Sequence, residues 1–278
     1  MGRQELQRRR GGKRSVSHLL FGRGRQPDSL RKSPDNTIRA MIYTTRAIII
    51  STTAYTDNSL IIKAYTEEFG LQSYILRAAR KKGGNAKPQH FQALRVVELE
   101  ISQTPKAKLS SIRSSQLAGS YEHITTDIVK TTLALFLTEV INLSVKESVP
   151  NKELFHLLAS ETSALEAAPA KDTTEFHLRF LVKLASVLGF CPQDNYDAVH
   201  PYFNLRTGAF VATMQESDTL NQETSMSLHK LLSLPTERIT RTLAERRELL
   251  NNLLHFYAIH ITAGKPIRSH EILYTILG

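Results

Sequence analysis

The chain has a single cysteine, no tryptophan and no long apolar run. Cys191 alone excludes an intrachain disulfide. It also excludes a cysteine-built zinc centre, which needs about four nitrogen or sulfur ligands. No stretch approaches the ~18 apolar residues of a membrane span. The longest purely apolar run near the start of the patterned sequence, Ala47–Ile50, is the size of a strand. Also missing are the phrases that carry hydrolytic or phosphoryl chemistry: HExxH, Gly-x-Ser-x-Gly and GxxxxGK[ST]. The histidines do not replace them. His255 and His260 stand five apart, a poor match to one helix face. Asp127, Glu139 and Glu147 read as helix-surface charges rather than a carboxylate pair. The expectation is a cytoplasmic protein with no catalytic residue, no metal and no cofactor.

What is present is positive charge, unevenly spread. The 278 residues carry a formal net charge of +10. Residues 1–40 contribute +8 of it and residues 41–278 only +2. The leader is rich in Arg, Gly, Ser and Pro and poor in apolar residues, so it cannot bury enough surface to offset chain entropy and is expected to be disordered. It lacks the apolar core of a secretory signal. A transit peptide, a basic arm, or a true start at Met41 all fit its composition. Residues 41–150 net +4 and residues 151–278 net −2, so the two halves suit different partners.

Residues 41–120 read as β. Thr45–Thr53 is rich in β-branched residues, Asp57-Asn58 is a turn signal, and Leu60–Thr66 follows as a second strand. Leu71–Arg77 is the third, Gln89–Ser102 the fourth and Leu109–Leu117 the fifth. Five short strands in about 80 residues predict a small closed barrel of the OB type. From residue 121 the period becomes helical. Helices are expected over Asp127–Lys146, Glu153–Ala168 and from the Asp172/Thr173 caps to Gly189, then over Glu223–Leu232 and Thr236–Thr262. Residues 191–215 read as an irregular insert with a small β-loop. The fold class is α+β: a barrel over 41–120, then a helical bundle over 121–278.

One stretch points to a ligand. From Arg77 to Arg113 there are nine Lys/Arg against Glu98 and Glu100, a local net charge of +7. Its densest part is Arg77, Arg80, Lys81, Lys82 and Lys87, broken by Gly83-Gly84 at the exit of a strand. Cations on a flexible tip of a rigid β-element suit a phosphate backbone of variable path. Arg95, Lys106, Lys108 and Arg113 are weaker candidates. Tyr55, Tyr65 and Tyr74 are the rings available for base stacking.

Three segments resemble the RecO family of bacterial recombination mediators. They are TRAIIISTTAYTDNSLIIKAYTEEFGLQSYILRAARK, FHLRFLVKLASVLGFCPQ with its Leu188-Gly189-Phe190-Cys191-Pro192 phrase, and NNLLHFYAIHITAGKPIRSHEIL with its Lys265 to Ser269 phrase. The resemblance runs from about Ile42 to the C-terminus. It implies an OB barrel, a helical domain and no catalysis. It implies binding of single- and double-stranded DNA, strand annealing, and loading of RecA together with RecR and single-stranded-DNA-binding protein. Arg77 and Arg80 match the family's basic barrel positions, and Lys81, Lys82, Lys87 and Arg95 complete the expected DNA-binding set. Many members carry a four-cysteine zinc loop after the Leu188–Pro192 phrase. Here that loop has none, so no metal is expected, and Tyr202, Phe203 and Phe210 are expected to tie the loop down. Ala78 stands where many relatives have glycine. Arg238, Arg241, Arg246 and Arg247, interleaved with Glu237, Glu245 and Glu248, form either a solvated helix face or a dock for the acidic tail of single-stranded-DNA-binding protein. An RNA-binding barrel protein is the alternative, and an unrecognised hydrolase is disfavoured by the missing motifs.

Overall fold

The computed structural model describes residues 40–77, 85–103, 108–146, 149–214, 218–233 and 241–277. These belong to one compact unit. Five strands, β1 (Met41–Thr56), β2 (Ser59–Thr66), β3 (Gly70–Arg77), β4 (Val96–Gln103) and β5 (Ser110–Leu117), close into a barrel in the order β1-β2-β3-β5-β4. All neighbours are antiparallel except β3 and β5. That parallel pair is short, Tyr74 to Ser110 and Ile75 to Ser111, after which the two strands diverge.

The run Ala47–Ile50 is continuously apolar because both its faces are covered. Ala47 and Ile49 point into the barrel with Ile62, Ala64, Leu76, Val97 and Leu99. Ile48 and Ile50 point outward into the core of the helical half. A bulge makes this work: Ile49 pairs with Ala64 and Ser51 with Lys63, so Ile50 is the extra residue. One end of the barrel is closed by a 3-10 turn, Pro88–Phe91, whose Phe91 ring is buried among the barrel residues. The expected fourth strand therefore starts late. Residues 88–95 cap the barrel, with Leu94 at φ 61°, and the strand begins at Val96.

Eight helices follow among the described residues: α1 (His123–Thr126), α2 (Ile128–Ser144), α3 (Lys152–Ala167), α4 (Ala170–Thr173), α5 (Phe176–Val187), α6 (Gln222–Ser233), α7 (Leu243–His260) and α8 (His270–Ile276). A hairpin, β6 (Tyr202–Asn204) and β7 (Ala209–Val211), lies in the insert. Asp127 caps α2 by accepting from the amides of Val129 and Lys130. Thr242 and Glu245 form a reciprocal capping box on α7. Gly189 at φ 81° ends α5, as the sequence implies. The single helix expected from residue 172 is two, because the chain breaks at Thr174–Glu175, where Glu175 turns inward.

The barrel is fastened to the helices by polar as well as apolar contacts. The Tyr65 hydroxyl accepts from the Asn151 amide at 3.0 Å and donates to the Asn151 carbonyl at 3.3 Å. Arg46 holds Glu67 through two hydrogen bonds and lies 5.2 Å over the Phe155 ring. Lys63 donates to Asn142 of α2 at 2.6 Å.

Candidate nucleic-acid interface

The strand register assembles the site. Ser59 opposes Arg77, so the end of β3 lies beside the tip of the β1–β2 hairpin. At that tip Ala54 pairs with Leu60 and Thr56 with Ser59, which leaves Tyr55 as a bulged residue. Its ring is thrown outward and is 64% exposed. On the other side of β3, its parallel pairing with β5 ends at Ile75–Ser111, and Arg77 and Arg113 each lie two residues beyond it, both exposed. The Arg113 guanidinium is 3.3 Å from Glu100 at a solvated pair, 49% and 39% exposed. Pairs of that kind contribute little, so a phosphate can compete with the carboxylate.

From the diverging ends of β3 and β5 the chain leaves the barrel and returns at Asn85, whose carbonyl accepts from the Ser115 amide. Arg80, Lys81 and Lys82, with Ala78, lie between and fall outside the described residues, as does Lys106. Lys87 follows, exposed, at the head of the Pro88–Phe91 turn. The structure thus brings together Tyr55, Arg77, Arg113 and Lys87 around one end of the barrel.

Three expected contributors are elsewhere. Arg95 is half-buried, its Nη1 donates to the Gln89 carbonyl, and burial pulls its pKa down. It braces the capping loop instead of joining Arg77. Tyr65 and Tyr74 are 1% and 2% exposed. Tyr74 sits so deep that its phenol is pushed up to about 12, chiefly by burial. Of the three rings considered for stacking, Tyr55 alone reaches solvent. The signal that singles it out, an unpaired residue at a hairpin bulge, is invisible in the period of the strand.

The likeness to known proteins covers nearly all of this architecture. Residues 41–121 match the family described as "Recombination protein O N terminal" and residues 125–270 match "Recombination protein O C terminal". The chain belongs to the RecO family. It is 33% identical over 237 residues to the DNA repair protein RecO of Flavobacterium johnsoniae, covering 84% of this chain and 98% of that protein. It is 32% identical to that of Flavobacterium psychrophilum, with the same coverage, and 27% identical to that of Bacteroides fragilis, covering 84% and 98%. Membership places the protein in DNA repair and recombination. No described helix is long and apolar enough to cross a membrane.

In this RecO chain the loop after Pro192 has no cysteine. Among the described residues no three His, Cys, Asp or Glu side chains converge in a way that could hold a metal ion. The lone His200 is turned to Asp197 at 2.9 Å. The loop is closed by other means. Asn195 makes two reciprocal bonds to the Phe210 backbone, and Asp194 accepts from His229 and Ser233. Phe203 and Phe210 are buried, whereas Tyr202 remains half-exposed.

The charged side chains at the start of α7 make contacts within the fold. Arg241 is 5% exposed and ion-paired with Glu175 at 2.7 Å. Arg246 donates to the Arg241 carbonyl, Arg247 donates to the Tyr274 carbonyl and covers its ring, and Glu248 accepts from Thr224. These side chains hold α5, α6, α7 and α8 together. Glu237 and Arg238 lie outside the described residues.

Proposed function

We propose that this RecO protein is a non-enzymatic recombination mediator that acts on DNA at the nucleoid. The end of the barrel holds single-stranded DNA by neutralising phosphates with Arg77, Lys87 and Arg113, together with the adjacent Arg80, Lys81 and Lys82, and by stacking a base on Tyr55. Base readout is slight, because neither Lys/Arg contacts to phosphate nor a single ring distinguishes sequences. The same groups take duplex phosphates. The helical half receives protein partners, RecR and single-stranded-DNA-binding protein. RecA loading then follows from several modest contacts made at once, acting through effective concentration. The observation that carries this reading is the convergence of exposed cations and one exposed ring at a single barrel end.

The test is annealing of complementary strands coated with single-stranded-DNA-binding protein, with and without RecR, followed by RecA filament formation. The reading expects faster annealing with this protein and RecA loading only when RecR is also present. A protein that prefers single-stranded RNA to DNA of equal length, or that leaves annealing at its spontaneous rate, contradicts it.

A further inference from the structure

A second set of cations stands where the barrel meets the helical half. Glu139 and Asn142 lie three apart on one face of α2, and Lys146 follows two residues past its end. Each receives or makes a contact from a different part of the chain. Asn142 accepts from Lys63 of β2 at 2.6 Å, and Lys146 donates to the carbonyl of Ile261, just past α7, at 2.8 Å. Glu139 accepts from the amides of Arg268 and Ser269 and from the Ser269 hydroxyl.

These contacts explain the C-terminal phrase of the sequence, which the barrel reading leaves unused. The chain leaves α7 through Ala263 and Gly264, both left-handed at φ 52° and 75°. Thr262 closes the turn by donating to the Lys265 carbonyl, and Ile267 is buried. Ser269 is pinned to Glu139. The anchors of the phrase point inward and its cations, Lys265 and Arg268, are exposed.

Lys63, Lys146, Lys265 and Arg268 therefore come from three separate segments to one joint. None of the four has a carboxylate within ion-pair distance among the described residues. Glu139 is engaged by three donors, Glu271 stands at the start of α8, and Glu147, next to Lys146 in sequence, falls outside the described residues. Beside the joint runs an open, largely apolar groove of about 590 Å³ between β1 and α2, floored by residues such as Ile50, Phe91 and Leu135, with Thr52, Gln92 and Asn142 as polar groups along it and Glu139 at its edge. Lysine, arginine, hydroxyl and amide groups are the partners that sugar–phosphate backbones take.

We propose that this joint is a second nucleic-acid site, which holds the phosphates of another strand while the barrel end holds the first. The inference rests on the barrel reading above. Lys63 and Arg77 share the outer face of the β2–β3 hairpin, through the pairs Lys63–Ser73 and Ser59–Arg77. Four residues separate them, about 13 Å along the strands. Two strands held that close raise each other's effective concentration, which is what annealing requires.

The test uses two non-complementary oligothymidylates, one with a donor and one with an acceptor dye, and reads energy transfer on joint binding. The variant Lys63→Glu, Lys265→Glu, Arg268→Glu should bind one oligomer within about threefold of the parent. Joint binding and the annealing rate should each fall about tenfold or more, as expected for losing several phosphate contacts. Lys265→Gln with Arg268→Gln, which leaves the Lys63–Asn142 bond intact, should show a smaller loss of the same kind at an unchanged melting temperature. Unchanged joint binding overturns the proposal. So does unchanged joint binding accompanied by lost affinity for an aspartate-rich peptide, which assigns the face to a protein partner. Failure of the parent to bind even one oligomer sinks the barrel reading itself, a separate and distinguishable result.

Discussion

His177 shows how one side chain sets a property of the whole protein. It is fully buried in α5, edge-on to Phe136, and its Nδ1 has no hydrogen-bond partner. Burial, assisted by Arg246 and Arg179, lowers its pKa to about 3. In the unfolded chain the same imidazole titrates near 6.5. Between these values the unfolded state binds a proton that the folded state refuses, so stability falls as the pH drops below about 6.5 and continues to fall toward 3. At pH 5 the loss is about 2 kcal/mol. Melting curves at pH 7.5 and pH 5 should show this gap, and His177→Phe should narrow it. An equal gap in the variant assigns the acid sensitivity to other groups. At this scale the sequence was only partly legible. The alternation of β3 announced that Tyr74 and Leu76 share one face and Ser73 and Arg77 the other, and burial follows that division. The exposure of Tyr55 and the withdrawal of Arg95 depend on a bulge and a capping loop, which no local period encodes.

Among the elements, the helices are held by buried charge as well as by apolar packing. Arg241, just before α7, donates to Glu175 at the head of α5 and to the hydroxyl and carbonyl of Ser227 in α6. Arg241→Met strands the Glu175 carboxylate and should cost about 3 to 5 kcal/mol in urea denaturation. Adding Glu175→Leu should recover most of that loss. No recovery in the double variant means that the bonds to Ser227, not the charge on Glu175, dominate. Long amphipathic helices such as α2 and α3 were legible because their caps, Asp127 and Asn151, stand just before the apolar period. The Thr242-x-x-Glu245 pattern that caps α7 stands in the letters, but the expected helix was begun at Thr236, which lies outside the described residues. The four-residue α1 and α4 carry too little period to be seen. Glu139, far away in sequence, holds Arg268 and Ser269, the two residues that lead into α8. The carboxylate of Glu139 is half-buried, which alone would raise its pKa. The bonds from Ser269 and the amides of Arg268 and Ser269 outweigh this and bring it below the usual range.

At the scale of the molecule, the barrel and the helices share a core. Ile48, Ile50, Tyr65, Leu71, Leu94 and Val96 of the barrel half pack with Leu133, Phe136, Leu137 and Phe155 of the helices. Burial of both faces of β1 ties the position of the proposed DNA-binding end to that of the helical half. This suits the proposed role, in which DNA and protein partners are held at once. The five-stranded barrel and the helical half were readable from turn signals and the change of period, but the strand order β1-β2-β3-β5-β4 was not. The joint between them was not, because Lys63, Asn142 and Arg268 come together only through tertiary packing.

The central claim is that the cations at the end of the barrel bind an unpaired strand through its phosphates. Its most direct test is the slope of log K against log salt for an oligothymidylate, measured by anisotropy for the parent and for Arg77→Glu with Arg80→Glu. Loss of two phosphate contacts should weaken binding and reduce the slope by about 1.4, at roughly 0.7 per contact. A variant that binds with the parent's affinity and the parent's slope contradicts the account.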